Sequence, residues 1–220
     1  MSRNPASPGP PPARTQLLSA KLTEPFETLV TAATELGANA RLIALLGGEA
    51  GLRCGEMMAL EWADVDFNTR QLSIARSDWK GHVTATKGGR PRHVPLTKRL
   101  HEALSGHRHL RGKRVLTTKQ GQPLTQKMVQ NFMKWAARRA NVKPGVHILR
   151  HTFCSHLAMR GAPARAIQEL AGHEDLSTTQ RYMHLSPAEM ERAIRLLDGP
   201  NPVQSRGDIL ETAGFENLSH

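Results

Sequence analysis

The chain has 220 residues, 39% of them apolar and 22% charged, with a net charge of +11, enough for one well-cored domain with short appendages. No run of about eighteen apolar residues occurs, which excludes a membrane-spanning helix, and the first twenty residues lack the apolar stretch of a secretory signal. The strong positive balance points instead to a polyanion partner, nucleic acid ahead of an anionic membrane surface.

In chain order, residues 1–20 carry five prolines and read as a disordered arm or linker. "LTEPFETLVTAATELG" predicts a helix with Thr23 as N-cap, Phe26, Leu29, Val30 and Ala33 on one face, and Gly37 as its end. "ARLIALLGGEAGL" predicts a second, strongly apolar helix. "CGEMMALEWADVDF" predicts a short third helix, with Met58, Leu60 and Trp62 in the core. The period then changes. "QLSIARS", "HVTAT" and "RHVPL" alternate or carry β-branched residues, and "KGGRP" before the last is a turn signal. They predict a three-stranded antiparallel sheet whose last hairpin exposes Lys87, Arg90 and Arg92.

Helical patterns return with "TKRLHEALSGH" and "LTQKMVQNFMKWAARRA". The second starts at a Thr125 cap and places Met128, Phe132, Trp135 and Ala136 on one face. "HILRHTFCSHLAMRG", "APARAIQELAGH" and "STTQRYMHL" predict three closely spaced helices, the last opened by a capping box from Ser177 to Gln180. "SPAEMERAIRLLDG" predicts an amphipathic helix over about 187–197, with Met190, Ala193, Ile194 and Leu197 on one stripe. Residues 199–220 read as a flexible tail. The expected fold class is mainly α with a small three-stranded antiparallel β-sheet. Trp62, Trp79 and Trp135 are all expected in the core.

The charge is unevenly placed. Between Lys80 and Lys143 lie sixteen Lys or Arg and one acid, Glu102, whereas the remainder carries fourteen basic and eighteen acidic residues. A solvated surface mixes its signs, so this stretch suits a polyanion. Aromatics are 4% and are not interleaved with the basic residues, which favours a duplex held by its phosphates over a stacked single strand. Cys54 and Cys154 lie a hundred residues apart in apolar-periodic segments. They read as buried free thiols in a reducing cytosol.

The single tyrosine, Tyr182, sits in "GHEDLSTTQRYMHL". As core filler a phenylalanine would serve as well; as a nucleophile it needs cationic company. Arg53, in "AGLRCGEM", lies between two glycines where the backbone can bend sharply. Arg150 follows His147 by three residues, so both share one face of a helix start. Either arginine alone reads more readily as a surface charge or a structural ion pair. Metal-free cleavage of a phosphodiester, however, needs arginines, whose guanidinium fork matches two phosphate oxygens.

"HILRHTFCSHLAMRGAPARAIQELAGHEDLSTTQRYMHL" closely resembles the C-terminal catalytic region of the tyrosine recombinase (phage integrase) family, and is most similar to Xer-like members. "GEAGLRCGEMMALEWADVDF" resembles that family's first arginine motif, and "ATKGGRPRHVPLT" its β-hairpin lysine motif. The likeness runs from about Lys21 to Leu197 in the family's order and spacing, which implies a catalytic domain over 21–198. It implies that Tyr182 attacks the scissile phosphate to give a 3′-phosphotyrosine and a free 5′-hydroxyl. Arg53 and Arg150 would clamp the non-bridging oxygens, and Lys87 would protonate the leaving oxygen. His147 would assist proton transfer at the tyrosine, His173 would hydrogen-bond the phosphate, and Glu56 would orient the basic groups. The link conserves the bond energy, so no cofactor, metal or ATP is expected. A free tyrosine, of pKa about 10, is phenolate in roughly one molecule per thousand at neutral pH, so an acid–base partner is needed.

The implied activity is site-specific recombination of double-stranded DNA. A type IB topoisomerase and a non-catalytic DNA-binding module of the same fold are the alternatives. Lys87, Arg90 and Arg92 of the hairpin, and Lys127, Lys134, Arg138 and Arg139 of one helix, are the candidate DNA contacts; for the helix, a solvated basic face is the competing reading. His147 and His151 have zinc-ligand spacing but no Glu after the first, and Cys154 and His156 complete no ligand set. His184 reads as a packing or surface residue. Full-length family members carry an N-terminal domain that closes around the DNA, and no such segment precedes Lys21. The chain is therefore expected to be a fragment or a stand-alone catalytic domain, with a separate protein supplying the clamp. The resemblance further implies a tetramer on DNA, linked by the 187–197 helix docking on a neighbouring protomer; packing on its own domain is the alternative. The expected compartment is the cytoplasm.

Overall fold

A helix with no polar face has to be surrounded, and Ala38–Gly48 forms one. The computed structural model describes residues 13–86, 91–184 and 194, with side chains from residue 23 onward. Helix α2 (Ala38–Gly48) has Leu42, Ile43, Leu45 and Leu46 all at 1% exposure or less. Around it pack α1 (Ala13–Leu36), α4 (Lys98–His107), α5 (Gln126–Arg139) and α6 (Val146–Met159). Each presents an apolar stripe to the shared core.

α1 buries Phe26, Leu29, Val30 and Ala33 as its periodicity predicts. It begins at Ala13, however, so Thr23 lies inside the helix rather than at its cap, and Pro25 is an interior residue. Residues 1–12 of the expected arm lie outside the described residues. The Thr125 cap of α5 is present, its hydroxyl accepting from the Met128 amide at 3.3 Å. The buried face of α5 is rotated from expectation: Val129, Met133, Ala136 and Ala137 point inward. Met128 and Phe132 lie at the edge of the core, and Trp135 is half exposed.

The strands also divide differently. After α3 (Cys54–Ala59) and a 3₁₀ turn at Trp62–Asp64, β1 (Val65–Asp66), β2 (Gln71–Ile74) and β5 (Arg92–Pro95) make an antiparallel sheet in the order β1-β2-β5. β3 (Arg76–Trp79) and β4 (His82–Ala85) form a separate hairpin. "QLSIARS" is thus two strands, and "HVTA" pairs with "RSDW" rather than with "RHVP". The reason is the two-residue turn Lys80-Gly81, with φ of 53° and 87°. Positive φ at both positions is the turn whose twist matches a tight hairpin. The Gly81 amide also donates to Asp78 Oδ1 at 2.9 Å. Trp79 is 60% exposed at the end of this hairpin, so neither it nor Trp135 is a core residue. Trp62 is partly buried and packs against the core beside Phe67.

A smaller apolar cluster joins α6 to α7 (Ala164–Ala171) and α8 (Leu176–Met183) through Phe153, Cys154, Ala158, Ile167 and Ala171, with Tyr182 and Met183 at its edge. α8 has Asp175 at its N-cap position with no side-chain cap hydrogen bond, so Ser177 lies inside the helix and the expected Ser177–Gln180 box does not open it. Cys54 is half-buried and Cys154 buried, both as free thiols. The described residues from Ala13 to His184 belong to one compact unit. The expected helix at 187–197, apart from residue 194, and the expected tail at 199–220 lie outside the described residues. Among the described residues no helix is long and apolar enough to cross a membrane.

Candidate active site

The site is organised by a buried carboxylate. Glu56, in the first turn of α3, has 1% of its side chain exposed and holds two guanidinium groups. Arg53 precedes α3. Its backbone amide donates to Glu56 Oε2 at 2.8 Å and its Nη1 to Oε1 at 2.9 Å. Arg92, at the start of β5, forks onto the same carboxylate, Nη1 to Oε1 at 2.9 Å and Nη2 to Oε2 at 2.8 Å. The remaining donors reach the C-terminal end of α7, where carbonyls are left over by the helix. Arg92 Nε donates to the Leu170 carbonyl at 3.0 Å, and Arg53 Nη2 to that of Gly172 at 2.8 Å. Gly172 ends α7 in a left-handed conformation, and a Cβ there would meet the Arg92 guanidinium at 3.1 Å. The expectation that the hairpin exposes Arg92 therefore fails. With 10% of its side chain exposed, it faces inward because a buried carboxylate has to be paired.

Arg150, in the first turns of α6, is buried and donates from Nη1 to the Gly51 carbonyl at 2.5 Å. Its Nη2 is buried with no hydrogen-bond partner among the described residues. Burial, then the neighbouring charge of Arg53, pulls its pKa down to about 10. Two guanidinium groups thus pair with one carboxylate while a third, on Arg150, lies within reach of its charge, an excess of positive charge that an oxyanion would satisfy. A buried donor without an acceptor marks where such an anion would sit.

Tyr182 lies across from this cluster on α8, its ring partly buried and its hydroxyl hydrogen-bonded to His151 Nδ1. His173 stacks on the phenol, ring centroids 6.5 Å apart and planes 7° from parallel. Its Nδ1 is engaged by the Thr179 hydroxyl at 2.9 Å, and Thr179 is fully buried. Burial first, and then Arg150 and Arg53, push the His173 pKa down to about 4, so it is neutral at neutral pH. For Tyr182, burial and the Cys154 thiol outweigh Arg150 and Arg181, and its pKa is raised. The arginines alone therefore do not make it a phenolate, and to act as a nucleophile it would have to lose its proton to a partner.

Of the residues the sequence singled out, Arg53, Glu56, Arg92, Arg150, His173 and Tyr182 converge. His147 is exposed in the first turn of α6 and lines a cavity of about 420 Å³ with Arg53, Cys54, Trp79 and Lys134. Lys87 and Arg90 lie outside the described residues. Lys127, Lys134, Arg138 and Arg139 are exposed on α5, with Arg139 paired to Glu35 at 3.1 Å. His151, which the sequence marks only by its zinc-ligand spacing from His147, contacts Tyr182. Thirty-one residues separate the two, so no local spacing signals it.

The chain is similar to known proteins in sequence and in fold. The phage integrase family model matches residues 22–189. The tyrosine recombinase XerC of Neisseria meningitidis serogroup C is 35% identical over 168 residues, 72% of this chain and 50% of its own length. The crystal structure of XerA recombinase superposes with a TM-score of 0.63 at 22% identity, over 90% of this chain and 68% of that one. The Tn1549 transposon integrase, solved with a circular intermediate DNA, has a TM-score of 0.64 at 21% identity, covering 86% and 67%. The fold is that of a tyrosine recombinase catalytic domain. The chain belongs to the phage integrase family. It spans about half the length of the curated relatives it matches.

Proposed function

We propose that the chain is the catalytic part of a site-specific DNA recombinase, cleaving and rejoining duplex DNA through a 3′-phosphotyrosine. The observation that carries this reading is the surplus of guanidinium charge at Arg53, Arg92 and Arg150, with Arg150 Nη2 buried and without a partner among the described residues, beside the single tyrosine of the chain. A scissile phosphate fits both the charge and the missing acceptor. Arg53 and Arg150 clamp its non-bridging oxygens, and neutral His173 hydrogen-bonds it. Lys87 protonates the leaving 5′-oxygen, and His147, on the Arg53 side, assists proton transfer. Glu56 orients Arg53. Lys127, Lys134 and Arg138 on α5, with Arg90 beside Lys87, hold flanking phosphates. No metal or cofactor takes part in this scheme.

The enzyme works in the cytoplasm as a tetramer on DNA, joined by the 187–197 helix, with a further domain or protein closing around the duplex. The test is covalent trapping on a pool of nicked duplexes, from which cleavage releases a short strand and cannot reverse. A protein–DNA adduct on a denaturing gel, absent from Tyr182→Phe, is the expected result; crosslinking of the trapped complexes reads the copy number. An adduct persisting in Tyr182→Phe would overturn the assignment of the nucleophile.

A further inference from the structure

We infer that His151 is a catalytic residue: its Nδ1 takes the phenolic proton as Tyr182 attacks, and returns it when the phosphotyrosine is resolved. The inference rests on the phosphotyrosine reading above and moves the phenolic proton, which the family resemblance gives to His147, to His151.

Geometry carries it. His151 follows Arg150 on α6, one helical turn beyond His147, and its Nδ1 is hydrogen-bonded to the Tyr182 hydroxyl, with ring centroids 6.0 Å apart and planes at 41°. The tilt brings an imidazole edge to the phenolic oxygen, as proton transfer requires. His173 is badly placed for the same task. Its ring plane lies parallel to that of the phenol with the centroids 6.5 Å apart, and its Nδ1 is engaged by Thr179. His147 lines the cavity on the Arg53 side. The His151 ring is exposed, so a proton accepted at Nδ1 can be balanced by loss of the Nε2 proton to water.

The charged and titratable groups around the pair are His147, Arg150 and Cys154 of α6, His173 beyond α7, and Arg181 of α8. Burial first, then His147 and Arg150, lower the His151 pKa, which keeps it neutral and able to accept at neutral pH. In the forward step the Tyr182 Oη–P bond forms and the P–O5′ bond breaks. The phenolic proton passes to His151 Nδ1, and the 5′-oxygen takes a separate proton from the general acid, assigned above to Lys87. In the reverse step a 5′-hydroxyl attacks, the P–Oη bond breaks, and both protons return.

His151→Asn tests this, because its amide can still hydrogen-bond the phenol but cannot carry the proton away. In the trapping reaction the variant should cleave about 100-fold more slowly while binding duplex as tightly as the wild type. The defect should persist on a substrate whose 5′-bridging oxygen is replaced by sulfur, a leaving group that needs no acid; loss of Lys87 should be rescued there. The wild-type rate should rise with pH through the histidine titration and level off, whereas the variant's keeps climbing toward the tyrosine range. Independently of activity, ¹⁵N NMR of the full chain should show neutral His151 protonated at Nε2, with a titration midpoint that Tyr182→Phe raises.

A variant that cleaves at the wild-type rate, or is rescued by the sulfur substrate, overturns the proton transfer and leaves the recombinase reading standing. A His151 titration unmoved by Tyr182→Phe overturns the pairing itself. If the wild type forms no adduct, that counts against the functional reading, and the NMR measurement still decides whether the pair exists.

Discussion

Glu56 is the residue on which the site depends, because one buried carboxylate holds Arg53 and Arg92 together. Burial pushes its pKa up, but the hydrogen bonds and charge of Arg92, followed by those of Arg53, more than offset this and hold it below the usual carboxylate range. Glu56→Gln removes the countercharge while Arg92 stays buried, and should destabilise the fold by about 3–5 kcal/mol in urea unfolding. The sign of the pH dependence follows from the lowered value. The stabilisation is fully present above the unfolded carboxylate pKa and is lost as pH falls through the folded one. The wild type should therefore lose stability in acid more steeply than the variant; parallel acid dependences would refute the pairing. Arg53, Arg150, His173 and Tyr182 were legible from motif and spacing. The inward turn of Arg92 and the partner of Tyr182 were not, because each contact joins segments thirty or more residues apart.

At the scale of elements, period located the helices, a cap did so only at Thr125 and not at Thr23 or Ser177, and burial decided their orientation. The Thr125 cap was readable because it is local; the inward face of α5 was not, because it depends on what α1 and α2 present to it. Trp135 matched the expected stripe and still ended half exposed. In the sheets the Lys80-Gly81 turn overrode the alternation of the neighbouring strands, since a two-residue loop dictates register. A paired substitution checks this reading of the core. Leu46→Ala, inside α2, should cost about 2–5 kcal/mol. Trp79→Ala, at the exposed hairpin end, should change stability by less than about 0.5 kcal/mol despite removing the larger side chain. Chemical denaturation of both variants decides it, and a large loss at Trp79 would mean the hairpin packs more tightly than its exposure indicates.

Across the described residues as a whole, the basic stretch is partly neutralised by acids from the segments around it. Arg92 faces Glu56, Arg99 faces Glu27 and Glu49, Arg114 faces Glu61 and Asp78, and Arg139 faces Glu35. The charge asymmetry of the sequence therefore serves folding, and only its unpaired part is left for the proposed binding. On α5, Lys127, Lys134 and Arg138 have no such acid within 4.0 Å among the described residues, and in the proposed scheme they meet phosphates. Alanine at each should lower the slope of log affinity for duplex against log salt by about 1, with little change in melting temperature. Arg139→Ala should lower it by less. Titrations at several salt concentrations read this directly, and an unchanged slope would remove α5 from the DNA-binding face.

By itself the sequence determined the mainly helical class, the apolar helix at the centre, the excess of positive charge, and the motif arginines, histidines and tyrosine. These are properties of composition and short spacing, which local chemistry expresses wherever the segment lies. The tertiary structure alone decided which strands pair, which arginine faces a carboxylate rather than solvent, and which histidine meets the phenol. Those outcomes depend on burial. A charge or donor enclosed by the fold has to find its partner among whatever side chains the packing brings alongside it, however distant they are in the chain.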